Sequence, residues 1–186
     1  MSEDIKKIGI STTAIAVALV LMGPAMLSTG AYAINPIDTT RSGGLHFVGQ
    51  PQLTVSKTDE GATLTATGEV AGAGQGAGTA TLAADVTATV GCITPPGNNE
   101  PSGLQEASAA VTATAPFEPT RQGRGTFTVT TEPLTIEDFT VDGEPFECPS
   151  ANMEETLVGA ITFSNIVLTI EAQTGTITAT YADVDP

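Results

Sequence analysis

The stretch "TATLAADVTATVGC", residues 79–92, constrains the fold more than any other. Ala80, Leu82, Ala84, Val86, Ala88 and Val90 fall on every second position, with threonines and one aspartate filling most of the gaps. A β-strand points successive side chains to opposite faces, so a period of two describes a strand with one buried face; a helix needs a period of 3.6. The parity carries to Cys92, whose thiol is therefore expected to point inward. "GATLTATGEV" repeats the pattern, with Ala62, Leu64, Ala66 and Val70 on one side and Thr63, Thr65 and Thr67 on the other. Further strands are expected at 45–56, 106–115, 124–131, 156–170 and 174–182. The run at 156–170 should bend near Ser164–Asn165, where the apolar parity shifts. No helical periodicity follows residue 33, apart from a short turn at "SANMEE".

The punctuation between these runs is that of a sheet protein. "AGAGQGAG" (71–78) reads as a mobile Gly/Ala hairpin loop, and "QTG" (173–175) as a tight turn in which Gly takes positive φ. "APFEPT" interrupts pairing, because proline cannot donate to a ladder. The expected fold is all-β: one immunoglobulin-like β-sandwich of seven or eight antiparallel strands over residues 45–186, with a barrel as the alternative. The 186 residues leave room for one domain of about 150 residues, large enough to bury roughly two-thirds of its unfolded surface. Its materials are modest, with no tryptophan, six Phe and much Ala, Val, Thr and Gly, so each side chain buries little area and a covalent staple would help.

Residues 1–33 read as a secretory signal peptide. Lys6 and Lys7 precede an apolar run from Ile8 to about Leu27, and Ala31-Tyr32-Ala33 forms a small-x-small cleavage signature before Ile34. The alternative is a retained membrane anchor, since the run approaches the ~20 residues that span a bilayer. Residues 34–44, "INPIDTTRSGG", read as an extended lead-in.

Past Ala33, four basic residues (Arg41, Lys57, Arg121, Arg124) stand against nineteen acidic ones, giving the same net charge of −15 as the whole chain. Nucleic-acid binding requires clustered Lys and Arg to neutralise phosphates, and this balance opposes it, as it opposes anionic membrane surfaces. Arg121 and Arg124 in "RQGRGTFTV" are expected to flank a turn and balance local carboxylates.

The chain has two cysteines, Cys92 and Cys148. In an exported protein such a pair reads as a disulfide. Zinc would need two further ligands, and the sole histidine, His46, cannot complete a set. A catalytic thiol would need His46 beside it in a compartment that oxidises thiols. His46 in "LHFVG" instead reads as a partly exposed strand residue. No serine sits in a Gly-x-Ser-x-Gly elbow, so a nucleophilic hydrolase has little to work with. Asp138, Asp142, Glu144 and Glu147 in "IEDFTVDGEPFEC" are weak calcium candidates whose spacing lacks the EF-hand pattern. Nothing in the sequence asks for a cofactor. If there is a binding face, it is expected at the loop after Cys92 (Pro95, Pro96, Gly97, Asn98, Asn99, Pro101) together with the segment around Cys148.

Cys92 at a strand end, the Gly97-Asn98 loop with Pro101, "GRGTFTV", and later Phe146, Cys148 and Pro149 resemble a family of small secreted bacterial proteins of actinomycete type. The likeness covers most of the mature chain; the insert "EPLTIEDFTVDGEPF" and Ala151 in place of Gly depart from the pattern. The resemblance implies export and a β-rich fold and brings no activity with it. The expected function is therefore a secreted or cell-surface structural or interaction module, non-catalytic, with an unidentified protein or envelope partner. Two alternatives are a filament-forming subunit that adds residues 34–50 as a strand to a neighbour's sheet edge, and a calcium-assisted adhesin-like domain.

Overall fold

A computed structural model describes residues 32–58, 61–94 and 101–185. Among them the backbone forms two antiparallel sheets and no α-helix. Numbered along the chain, sheet one holds β1 (Tyr32–Ile34), β3 (His46–Phe47), β4 (Gln52–Thr58), β5 (Gly61–Ala71) and β8 (Gly125–Thr130). Sheet two holds β2 (Asp38–Thr39), β6 (Gly78–Ile93), β7 (Ser102–Phe117), β9 (Thr140–Val141), β10 (Glu144–Pro145), β11 (Glu154–Ala172) and β12 (Gly175–Thr180). Its strand order is β10-β9-β7-β6-β11-β12-β2. The two inward faces merge into one core, the arrangement of a β-sandwich.

The alternation read from the sequence is the alternation of burial. Ala80, Leu82, Ala84, Val86, Ala88, Val90 and Cys92 are all buried along β6, and Ala62, Leu64, Ala66 and Val70 along β5. The expected bend at Ser164–Asn165 is a register shift in the β11–β6 ladder, where Asn165 takes φ 50° and its amide donates to the Asp85 carboxylate at 2.8 Å. A second shift, between Val158 and Ile161, falls at Gly159, φ 82°, and was not foreseen. Gln173–Thr174 form the two-residue turn between β11 and β12, closed by Gly175. A turn at "SANMEE" is present too, where the Met153 N–H donates to the Ser150 carbonyl.

Three expectations are corrected. "AGAGQGAG" is no hairpin loop, because β5 and β6 lie in different sheets. The segment crosses between them and is packed: Ala73 is fully buried, and its N–H donates to the Gly123 carbonyl at 2.9 Å. The lead-in 34–44 is likewise not a bare extension. Ile34 pairs with Leu53 on sheet one, and Asp38–Thr39 pair with β12 on sheet two. Finally, the single strand expected over 45–56 is broken. β3 and β4 lie along the same edge of β5 with a two-residue register shift across Gly49–Pro51. The Tyr181 hydroxyl, 3% exposed, donates to the Pro51 carbonyl at 3.3 Å and so ties sheet two to this break.

Aromatic rings sit where glycine makes room for them. Phe117 is the cross-strand partner of Gly78, and a methyl on Gly78 would land on its ring; a methyl on Gly125 of sheet one would meet the same ring at 2.7 Å. Phe127 covers its partner Gly68 in the same way. A ring laid over a bare Cα recovers the packing that glycine lacks in a strand.

Sheet two outruns sheet one: β6 and β7 have 16 residues and β11 has 19, against 7, 11 and 6 in β4, β5 and β8. The apolar face of the excess cannot stay wet. The segment 132–153, which holds the insert noted above, supplies its cover. Leu134, Phe139 and Phe146 from this segment are buried in the core, with Ile136, Val141, Cys148 and Met153 packed against it. A single 3-10 turn (Ile136–Asp138) and the small β9–β10 hairpin shape this cap.

Candidate functional site

Cys92 ends the buried row of β6, and Cys148 arrives from the cap. Their sulfurs are bonded, with Cα atoms 5.8 Å apart and 56 residues between them. The bond is thus placed where the cap must be held to the far end of the sheet. Cys92 also pairs across the ladders with Glu155 of β11 and Ser102 of β7, so the bond fixes the base of the β6–β7 connection. Of the expected binding loop, Pro95, Pro96, Gly97, Asn98 and Asn99 lie outside the described residues. Pro101 is half-buried, and beyond it Leu104 stands 55% exposed, one of two large apolar side chains so exposed among the described residues.

The acidic residues of the cap are engaged separately. Asp138 accepts from the Thr135 N–H at 2.7 Å and from the Thr135 hydroxyl at 3.0 Å, closing a capping box around the 3-10 turn. Asp142 and Gly143 form the two-residue turn between β9 and β10, at φ 52° and 85°. Asp-Gly between strand residues is the usual signal for a type I′ turn, and it was legible in "TVDGEP". Glu144 is exposed in β10. Among the described residues, no three His, Cys, Asp or Glu side chains gather as a metal group. His46 is a half-buried strand residue, as expected, with Nδ1 2.8 Å from the Gly44 carbonyl. Arg124 pairs with Glu69 at 3.2 Å and sits with Arg121 in the turn that carries the chain from β7 to β8.

Two open clefts flank β11. One, of about 340 Å³, lies between the β4–β5 end of sheet one, the start of the cap and the first half of β11; Lys57, Leu134, Ile136, Glu155, Leu157 and Ile161 line it. The other, of about 420 Å³, follows the Asn165 bulge and is lined by Ile37, Ile166, Tyr181 and Asp183 among others. No short stretch of sequence points to the first cleft, because its walls come from the cap and from the bulge at Gly159. Its walls mix apolar side chains with Thr135 and Thr156 and carry one residue of each charge, Lys57 and Glu155. Every buried side-chain polar atom among the described residues has a hydrogen-bond partner. Burial pushes the Tyr181 phenol well above its ordinary value.

Comparison of the chain with protein-family models, with curated proteins and with solved structures finds no match.

Proposed function

We propose that this chain is an exported, non-catalytic structural or interaction module of the cell surface or medium, immunoglobulin-like in its use of a sandwich to carry binding loops. The observation that carries this reading is the Cys92–Cys148 disulfide. Such bonds persist in oxidising, extracytoplasmic compartments, and this one organises the cap and the β6–β7 connection as a single end of the molecule. Cleavage before Ile34 would remove Tyr32 and Ala33, two of the three residues of β1, and leave Ile34 paired with Leu53. The partner is an unidentified protein or envelope component that meets this end. The unreduced intact mass of protein recovered from the medium and envelope of its native host, with and without alkylation, tests the reading. A chain beginning at Ile34 with no alkylatable thiol supports it; a chain retaining residues 1–33, or carrying two reactive thiols, overturns it.

A second reading, a filament subunit that donates residues 34–50, has one observation in its favour. This arm already forms short edge ladders on both sheets, at Leu53 through Ile34 and at β12 through Asp38–Thr39. The same edges of a neighbour would accept the same residues. Filaments that vanish on deletion of residues 34–44 would establish it.

A further inference from the structure

We propose that the outer edge of β7 is a self-association surface, on which a second copy of this chain pairs its own β7 about a two-fold axis through Ala113. This goes beyond the functional reading above and uses neither the disulfide end nor the 34–50 arm.

β7 is bonded to β6 along its whole length, but on its other side it meets only β9, at the single pair Ser108–Thr140. The edge from Ala109 to Phe117, roughly 30 Å at the rise of an extended strand, has no strand beside it among the described residues. The Thr140 hydroxyl donates to the Ser108 carbonyl at 3.2 Å, so Ser108 turns its backbone polar groups away from β6. By the alternation of an antiparallel ladder, Ala110, Thr112, Thr114 and Pro116 do the same.

Free edges are normally blunted by charge, by proline within the strand or by a bulge. Here residues 107–117, "ASAAVTATAPF", carry no charge at all, in a chain of net charge −15. The β7–β6 ladder runs without a shift from Phe117 to Gln105, and proline enters only at position 116. The inward row Ala109, Val111, Ala113 and Ala115 is only half-buried, whereas the matching row of β6 is buried. A strand laid on this edge would finish that burial.

The charge pattern selects a copy of β7 as the occupant. An incoming strand must itself be neutral and free, because Glu106 and Glu118 flank this edge, and Glu132 and Asp138 line a cleft with Ala110–Thr112, so that an acidic segment would be repelled. A two-fold axis through Ala113 matches the open stretch end to end. Thr112 then exchanges both backbone bonds with Thr114 of the second copy. Ala110 donates to the carbonyl of Pro116, which has no N–H to leave orphaned. Val111 faces Ala115, and Ala109 faces Phe117. The paired stretch ends at Ala109 and Phe117, because Thr140 holds the place beside Ser108 and β7 itself stops at Phe117; Glu118 lies beyond the ladder, and no two carboxylates oppose each other within it. The register centred on Thr112 instead would set Glu106 against Glu118 and drive the second strand into β9. The product is a closed dimer with one continuous sheet across both copies, not a fibre.

Sedimentation velocity over a concentration series tests this on the purified protein, the Thr112→Pro variant and the Thr128→Lys variant as a surface control on sheet one. Thr112→Pro removes an N–H that bonds nothing within the chain, so the fold persists while the dimer loses two backbone bonds and meets the proline ring. The wild type and Thr128→Lys should dimerise, more tightly as salt is raised. Thr112→Pro should weaken the dimer by at least about 30-fold. Ala113→Cys supplies an independent readout, since under oxidation it should link two copies covalently while Ala109→Cys should not. A wild type that stays monomeric at every concentration overturns the proposal. So does association that survives Thr112→Pro, or that is lost only on deleting residues 34–44; the latter points to the arm and leaves the proposal refuted.

Discussion

Removing the Cys92–Cys148 bond should destabilise the whole domain and not merely loosen its cap. The bond closes a loop with a sequence separation of 56 residues. Tying the ends of such a loop in the unfolded chain lowers its entropy by an amount worth about 4 kcal/mol at 25 °C. A compact denatured ensemble lowers that figure, since part of the freedom is already lost. The loop contains β7, β9 and β10 of sheet two and β8 of sheet one, so the constraint acts on both layers at once. For a domain of this size each kcal/mol moves Tm by about 2–4 °C, which puts the expected fall at about 8–16 °C. The assay is thermal and urea unfolding of the native protein, the protein held in reductant, and the Cys92→Ala/Cys148→Ala double variant. The urea m-value should rise together with the loss of stability, because an unlinked chain exposes more surface when it unfolds. Hydrogen exchange supplies the decisive contrast. If protection is lost only within residues 132–153 and Tm moves by less than about 2 °C, the bond clamps a local cap and the whole-chain entropy reasoning is refuted.

Other perturbations have equally definite outcomes. Tyr181 is buried, and its phenol ionises far less readily in the folded state than at its ordinary pKa of 10. The unfolded chain loses that proton first, so stability is complete below about pH 10 and falls as pH rises above it. Tyr181→Phe should flatten this alkaline loss while costing about 1 kcal/mol near neutrality for the bond to Pro51, as unfolding midpoints across the alkaline range will show. Gly78→Ala drives a methyl into the Phe117 ring; overpacking of this kind costs about 1–3 kcal/mol, measurable by urea unfolding, and an unchanged midpoint would mean that the ring moves freely. Thr131→Val leaves the buried Leu64 N–H without the hydroxyl that it reaches at 3.0 Å. A loss of about 1–3 kcal/mol is expected, while Thr130→Val, on the exposed face, should be near neutral.

Much of the fold was legible because the physics of a half-buried strand is local. Parity places Ala80 through Cys92 on one face whatever lies opposite, and Gly175 permits its tight turn without help from the rest of the chain. The alternating runs were found, and so was the bend at Asn165. What escaped was non-local. Nothing in "AGAGQGAG" says whether the next strand pairs in the same sheet or crosses to the other, because glycine and alanine permit both. Most of the cap, residues 132–146, reads in the sequence only as an insert, since its apolar residues follow no regular period; only the excess length of sheet two explains why Phe139 and Phe146 are needed. The cleft beside β11 was invisible for the same reason, with one wall in the cap and the other at a bulge.

By itself, then, the sequence determined the all-β character, the inward face of each long strand, the acidic and cation-poor surface and the pairing of its only two cysteines. These follow from side-chain period, charge and count, which no partner can alter. The tertiary structure decided which strands share a sheet, how the arm at residues 34–44 divides between two edges, and that Cys148 anchors a cap over the far end of β6. It also decided that β7 is left with an open, uncharged edge. Such features depend on which surfaces meet, and a chain of small, interchangeable side chains does not encode those meetings in any short stretch.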